Sequence, residues 1–260
     1  MAELITKKEN AIGWVIFSNP AKLNAVTYDM WKALPIALSA FEADPEVRAI
    51  VITGDGDKAF ISGADISQFE KARGSATAQA VYNSAVTEAY IAPMTCTKPV
   101  IARIHGVCIG GGLGLAAVCD LRFAADDAVF RMPAARLGLG YNYPGIRRFV
   151  QLLGEANTAD IFFSARKFDA ADAMRMGFLN RVLPAADLDR EVAAYCATLA
   201  ENAPLTIASA KFTIRQAGED VDKRDLAKVQ SLIDTCFASE DYKEGRTAFM
   251  EKRKPAFKGR

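Results

Sequence analysis

Two short glycine-containing stretches constrain this chain more than anything else in it. The first is "FISGADI", Phe60 to Ile66, and the second is "CIGGGLGLAAV", Cys108 to Val118. Each comes after an apolar run that reads as a buried strand, "VRAIVITGDG" before the first and "KPVIARIHG" before the second. Glycine permits backbone angles that other residues avoid, and small neighbours let another group approach the main chain. The second stretch opens a helix at Gly111 or Gly112, and the first turn of a helix has N–H groups without an intrahelical acceptor. Two such turns that converge would place two N–H donors around a developing oxyanion.

A nucleotide loop is the first alternative. Gly112-Leu113-Gly114-Leu115-Ala116-Ala117 satisfies the GxGxx[GA] pattern. A dinucleotide turn joins a strand directly to a helix, whereas five residues separate Ile104 from Gly110 here. No GK[ST] follows, which excludes a P-loop.

The surrounding chain alternates strands and helices. "AIGWVIFSNP" reads as a strand ended by Asn-Pro. A helix follows, with Met30, Trp31, Leu34, Leu38 and Phe41 at helical spacing, Thr27 as N-cap and Pro35 in its interior. From about residue 185 onward the pattern is helical. The last helix, in "SEDYKEGRTAFMEKRKP", starts at Ser239 with two acids and ends in three basic residues, matching the helix dipole. The expectation is an α/β core over residues 1–195 and a C-terminal helical subdomain over 196–260. At 260 residues such a chain buries roughly 70–75% of its unfolded surface.

Charge narrows the partners. With 32 basic and 31 acidic residues, the chain offers no bulk attraction to nucleic acid or an anionic membrane. Five scattered cysteines and one histidine argue against a metal cluster and for reduced thiols. The opening "MAELITKKEN" lacks the apolar core of a signal peptide, and no run of 18 apolar residues exists, so a cytoplasmic protein is expected.

The stretches "NPAKLNAVT", "AFISGADI", "KPVIARIHGVCIGGGLGLAAVCDLRFAADDAVF" and "SEDYKEGRTAFMEKRKPAF" resemble the enoyl-CoA hydratase/isomerase (crotonase) superfamily, in order and spacing, from about residue 11 to 257. The resemblance implies a spiral of ββα units with a C-terminal helical region that builds trimers, often paired as hexamers. It implies an acyl-CoA thioester as substrate and no further cofactor or metal. Ala64 and Gly111 would supply the two N–H donors for the thioester carbonyl. Ala64, Asp65 and Ile66 would run beside the adenine of CoA, Gly110 would line the substrate, and Lys22 would lie near the CoA phosphates.

Hydratases of this superfamily use two glutamates to hold water and move a proton. The matching positions here are Gly114 and Ala134, which can do neither. The loop "LGLGYNYPGI" resembles the methylmalonyl-CoA decarboxylase branch, whose matching tyrosine lies in the active site. That makes Tyr141 the candidate proton donor and Asn142 a candidate for orienting a carboxylate or thioester, although Asn142 also suits a turn. This chain departs from that branch by Ala64 in place of a histidine and Gly114 in place of an acid. Loss of CO2 from a malonyl-type thioester yields an enolate without a base, so a lyase is the first reading. A hydratase or isomerase with unconventional acid and base groups is the second, and a silent CoA-ester-binding protein the third. His105, Asp120, Arg122, Arg131 and Arg136 read as structural or surface residues, and Cys108 and Cys119 as core.

Overall fold

The computed structural model describes residues 2–65 and 76–260. The chain opens on an antiparallel hairpin of β1 (Glu3–Glu9) and β2 (Ile12–Ser18), paired from Glu3 with Ser18 to Glu9 with Ile12. Asn10 and Ala11 form its two-residue turn, with φ of 50° and 64°, the left-handed geometry that matches strand twist. Sequence patterning does not mark β1, because "ELITKKE" lies at the sheet edge and is almost wholly exposed. Charge at an exposed edge blocks pairing with another chain.

Three ββα units follow. They are β3 (Ala49–Gly54), β4 (Ala59–Ile61) and α2 (Ala76–Thr95); β5 (Val100–Ile104), β6 (Val107–Ile109) and α3 (Gly111–Val118); and β7 (Leu121–Ala125), β8 (Val129–Arg131) and α4 (Tyr143–Ser164). In each unit the first strand joins a six-stranded sheet and the second a four-stranded sheet. With β9 (Lys167–Asp169) and β10 (Arg181–Leu183), the orders are β1-β2-β3-β5-β7-β10 and β4-β6-β8-β9. Successive units advance one strand in both sheets through parallel pairs such as Ile50 with Val100 and Cys108 with Phe130. This double advance is the spiral of ββα units expected from the sequence.

Period-two alternation divides the large sheet's faces. Val15, Phe17, Ile50, Ile52, Val100 and Ala102 face the main core with α1 (Tyr28–Ala43). Ile12, Val51, Ile101 and Phe123 face α6 (Leu188–Glu201) through Leu188, Val192 and Cys196, α5 being the short helix Ala170–Arg175. Residue 195 therefore lies inside a helix that packs on the sheet. Thr27 caps α1 by accepting the Met30 N–H at 3.3 Å, and Pro35 sits inside that helix.

The chain ends in α7 (Pro204–Ala217), α8 (Leu226–Ala238) and α9 (Glu240–Glu251). Lys211 ties α7 to the α/β core. Its ammonium meets Asp120 at 2.6 Å and donates to the carbonyls of Pro93 and Lys98. Ser239 caps α9 by accepting the Tyr242 N–H. The terminal residues fold back so that the Asp241 carboxylate accepts the N–H groups of Lys258 and Gly259. Ile214, Val221, Leu226, Phe237, Phe249 and Met250 stay exposed on this helical layer.

Candidate active site

β4 and β6 are parallel neighbours, so their chains leave the small sheet at the same end. The first exit is Ser62-Gly63-Ala64 and the second is Gly110-Gly111. A β-carbon on Gly110 would lie 3.9 Å from the Gly63 α-carbon, which places the two turns side by side. Gly110 has φ 55° and ψ −114°, a conformation essentially restricted to glycine. Its N–H donates to the Arg131 carbonyl at 2.9 Å. Gly110 therefore shapes the turn, and its N–H serves the sheet, leaving the donor role to its neighbour Gly111.

The loop "NPAKLNAVT" is stitched to the first turn. Ser62 N–H donates to the Leu23 carbonyl, Val26 N–H to Gly63, and Asp65 N–H to Val26. Asn24 holds the loop from inside, donating to the carbonyls of Asp55 and Ala59. In this parallel bridge the Ala64 N–H points away from Val26. Among the described residues, no acceptor takes the N–H of Ala64 or of Gly111.

Gly111 is the first residue of α3, a short helix buried almost throughout. The other end of α3 is held by cations. Arg148 donates to the Ala117 carbonyl at 2.7 Å and Arg122 to the Cys119 carbonyl at 2.8 Å. Guanidinium groups at the C-terminus complement the helix dipole, whose positive end lies at Gly111. Burial lowers the Arg122 pKa to about 10.

The space beside Gly114 is occupied by phenols. A β-carbon there would lie 2.5 Å from the Tyr90 oxygen and 2.9 Å from the Tyr141 oxygen. The Tyr90 hydroxyl donates to the Gly111 carbonyl at 3.0 Å, and the Tyr141 hydroxyl converges on the same point beside Gly114. Burial pushes Tyr141 up to about 12 and Tyr90 well above the ordinary phenol value, so both are neutral near pH 7. Trp31 completes this wall, 3.2 Å from where a β-carbon of Gly111 would stand, and its indole N–H donates to Tyr82 at 3.1 Å.

The structure thus brings together Ala64, Gly111, Gly114 and Tyr141. Ala134 is buried in the 3-10 turn just after Pro133, which itself lies beside Gly110. Lys22 pairs with both oxygens of Asp65, at 3.0 and 2.9 Å. Ile66 lies outside the described residues. Asn142 accepts the Gly145 N–H as N-cap of α4, so its oxygen serves the helix. Arg131 donates to the Ala165 carbonyl and Arg136 is exposed. His105 faces the opposite side of the large sheet. It lies with Trp14, Arg103 and Asp189 in a groove of about 1220 Å³ there. Cys108 and Cys119 are buried thiols that desolvation pushes up.

Tyr90 is the residue sequence reasoning missed. Its signal is faint but present, since Tyr82, Ala85, Ala89 and Tyr90 recur at helical spacing on one face of α2. Among the described residues, no cluster of three potential metal ligands exists and no helix is long and apolar enough to cross a membrane.

A two-sheet spiral with two glycine turns at one sheet end defines the crotonase class of fold. A solved enoyl-CoA hydratase/carnithine racemase from Magnetospirillum magneticum superposes with a TM-score of 0.92 at 32% identity, covering 100% of this chain and 97% of the other. The chain belongs to the enoyl-CoA hydratase/isomerase family, whose model matches residues 7–260. It is 32% identical to a probable enoyl-CoA hydratase of Mycobacterium tuberculosis, over 98% of this chain and 97% of that one. It is 31% identical to a short-chain-enoyl-CoA hydratase of Clostridium acetobutylicum, over 99% and 98%.

Proposed function

We propose that this acyl-CoA enzyme is a lyase that removes CO2 from a short 2-carboxyacyl-CoA thioester. The observation that carries the reading is the pair of neutral phenols where a glutamate at position 114 would stand. Position 134, an alanine, also lacks an acid. In the proposed reaction the bond to the carboxylate breaks and its electrons enter the thioester carbonyl. The Ala64 and Gly111 N–H groups hold the resulting enolate oxygen at the positive end of α3. Tyr141 then gives its proton to the α-carbon. CoA enters as part of the substrate, and the exposed apolar side chains of α8 and α9 serve self-association as a trimer or a dimer of trimers.

A second reading is favoured by the relatives, which are named hydratases. It assigns the phenols to water activation. Incubation with malonyl-, methylmalonyl- and crotonyl-CoA separates the readings. CO2 release with little hydration is expected, and crotonyl-CoA hydration at an efficient enzyme's rate would refute the lyase. Tight binding without turnover on this panel would point to a silent CoA-ester-binding protein. Gly111→Pro removes one donor at a helix position that tolerates proline, and turnover should fall about 100- to 1,000-fold. Gly111→Ala, with the same β-carbon and an intact N–H, is the control.

A further inference from the structure

Tyr141 does not stand alone at the Gly114 gap. Tyr90 reaches the same volume from α2, and two oxygens lie near its hydroxyl. In the resting arrangement it lies on the Gly111 carbonyl at 3.0 Å. The second is the Tyr141 oxygen, which lies 2.9 Å from where a β-carbon of Gly114 would stand, with the Tyr90 oxygen 2.5 Å from that same point. Both rings are held independently of those hydroxyls. Tyr90 packs edge-on against Trp31 with centroids 5.7 Å apart. Tyr141 packs edge-on against Phe162 at 5.2 Å, over Gly145, where a β-carbon would be 2.5 Å from its ring.

We infer that Tyr90 is the positioning residue for Tyr141: it fixes the Tyr141 oxygen beside Gly114 and turns its own proton onto that oxygen when Tyr141 gives its proton away. The inference rests on the role proposed above for Tyr141. In that step the Tyr141 O–H bond breaks and a C–H bond forms at the α-carbon. The enolate electrons supply the new bond as the thioester carbonyl re-forms. Tyr141 is left as a phenolate, and the Tyr90 hydroxyl moves from the Gly111 carbonyl to this stronger acceptor. A solvent proton then restores Tyr141, with nothing oxidised or reduced.

Tyr90→Phe deletes the hydroxyl and keeps the ring. With malonyl-CoA as probe, kcat should fall about tenfold or more while KM stays within about twofold. In a Tyr141→Phe background the same change should cost less than about twofold, because the two phenols act as one unit. A second readout does not depend on turnover. With 3-fluorotyrosine at position 141, its 19F titration should shift to higher pH in Tyr90→Phe, since the phenolate loses its donor. An unchanged titration, or single-variant rate losses that simply multiply, would overturn the role of Tyr90. Absence of malonyl-CoA turnover together with a shifted titration would leave the pair intact and refute the lyase reading instead.

Discussion

Gly114 has a physical role beyond the loss of an acid. The Tyr90 oxygen would lie 2.5 Å from any β-carbon there, and moving it would break its bond to the Gly111 carbonyl. Gly114→Ala should therefore destabilise the fold by about 1–3 kcal/mol through overpacking, measurable by denaturant unfolding. Gly114→Glu should not create crotonyl-CoA hydration, because its carboxylate has no room unless both phenols leave. The glycine was legible in the sequence as a missing glutamate only through the family resemblance, which fixes the position by its distance from Gly111. What fills the gap was legible in half: Tyr141 is marked by its loop, whereas Tyr90 comes from a separate helix with only a faint periodic signal and no motif.

Local chemistry foretold the elements that flank the site and the helical end. Thr27 and Ser239 cap the helices they precede, and the apolar runs before both glycine turns are the buried strands β3 and β5. The edge strand β1 escaped because its exposed, charged residues have no buried face to announce them. Contacts across residue 195 join the helical end to the α/β core, α6 by packing on the sheet and Lys211 by its ammonium. Lys211 is the sharpest case, a buried cation satisfied by Asp120 and two carbonyls from the α2–β5 region. Lys211→Met should leave those carbonyls and the carboxylate underpaired and cost about 3–5 kcal/mol. A lowered melting temperature with early hydrogen exchange in α7 would be the signature, and an unchanged melting curve would contradict it.

At the scale of the whole molecule, the C-terminal helices present Phe249 and Met250 at 82% and 80% exposure. If they serve the proposed assembly, Phe249→Glu with Met250→Lys should shift the sedimenting species toward monomer at micromolar concentration while the isolated fold melts unchanged. A monomeric parent would refute the assembly itself. The chain's two tryptophans fall on opposite sides of the large sheet, Trp31 against the Gly111 turn and Trp14 in the groove with His105. Each side thus carries its own fluorophore. In a Trp14→Phe protein the remaining indole emission should change as a thioester settles against Gly111, while a ligand confined to the far groove leaves it unaltered. The placement of Trp31 converts site occupancy into an optical signal that needs no label and no turnover.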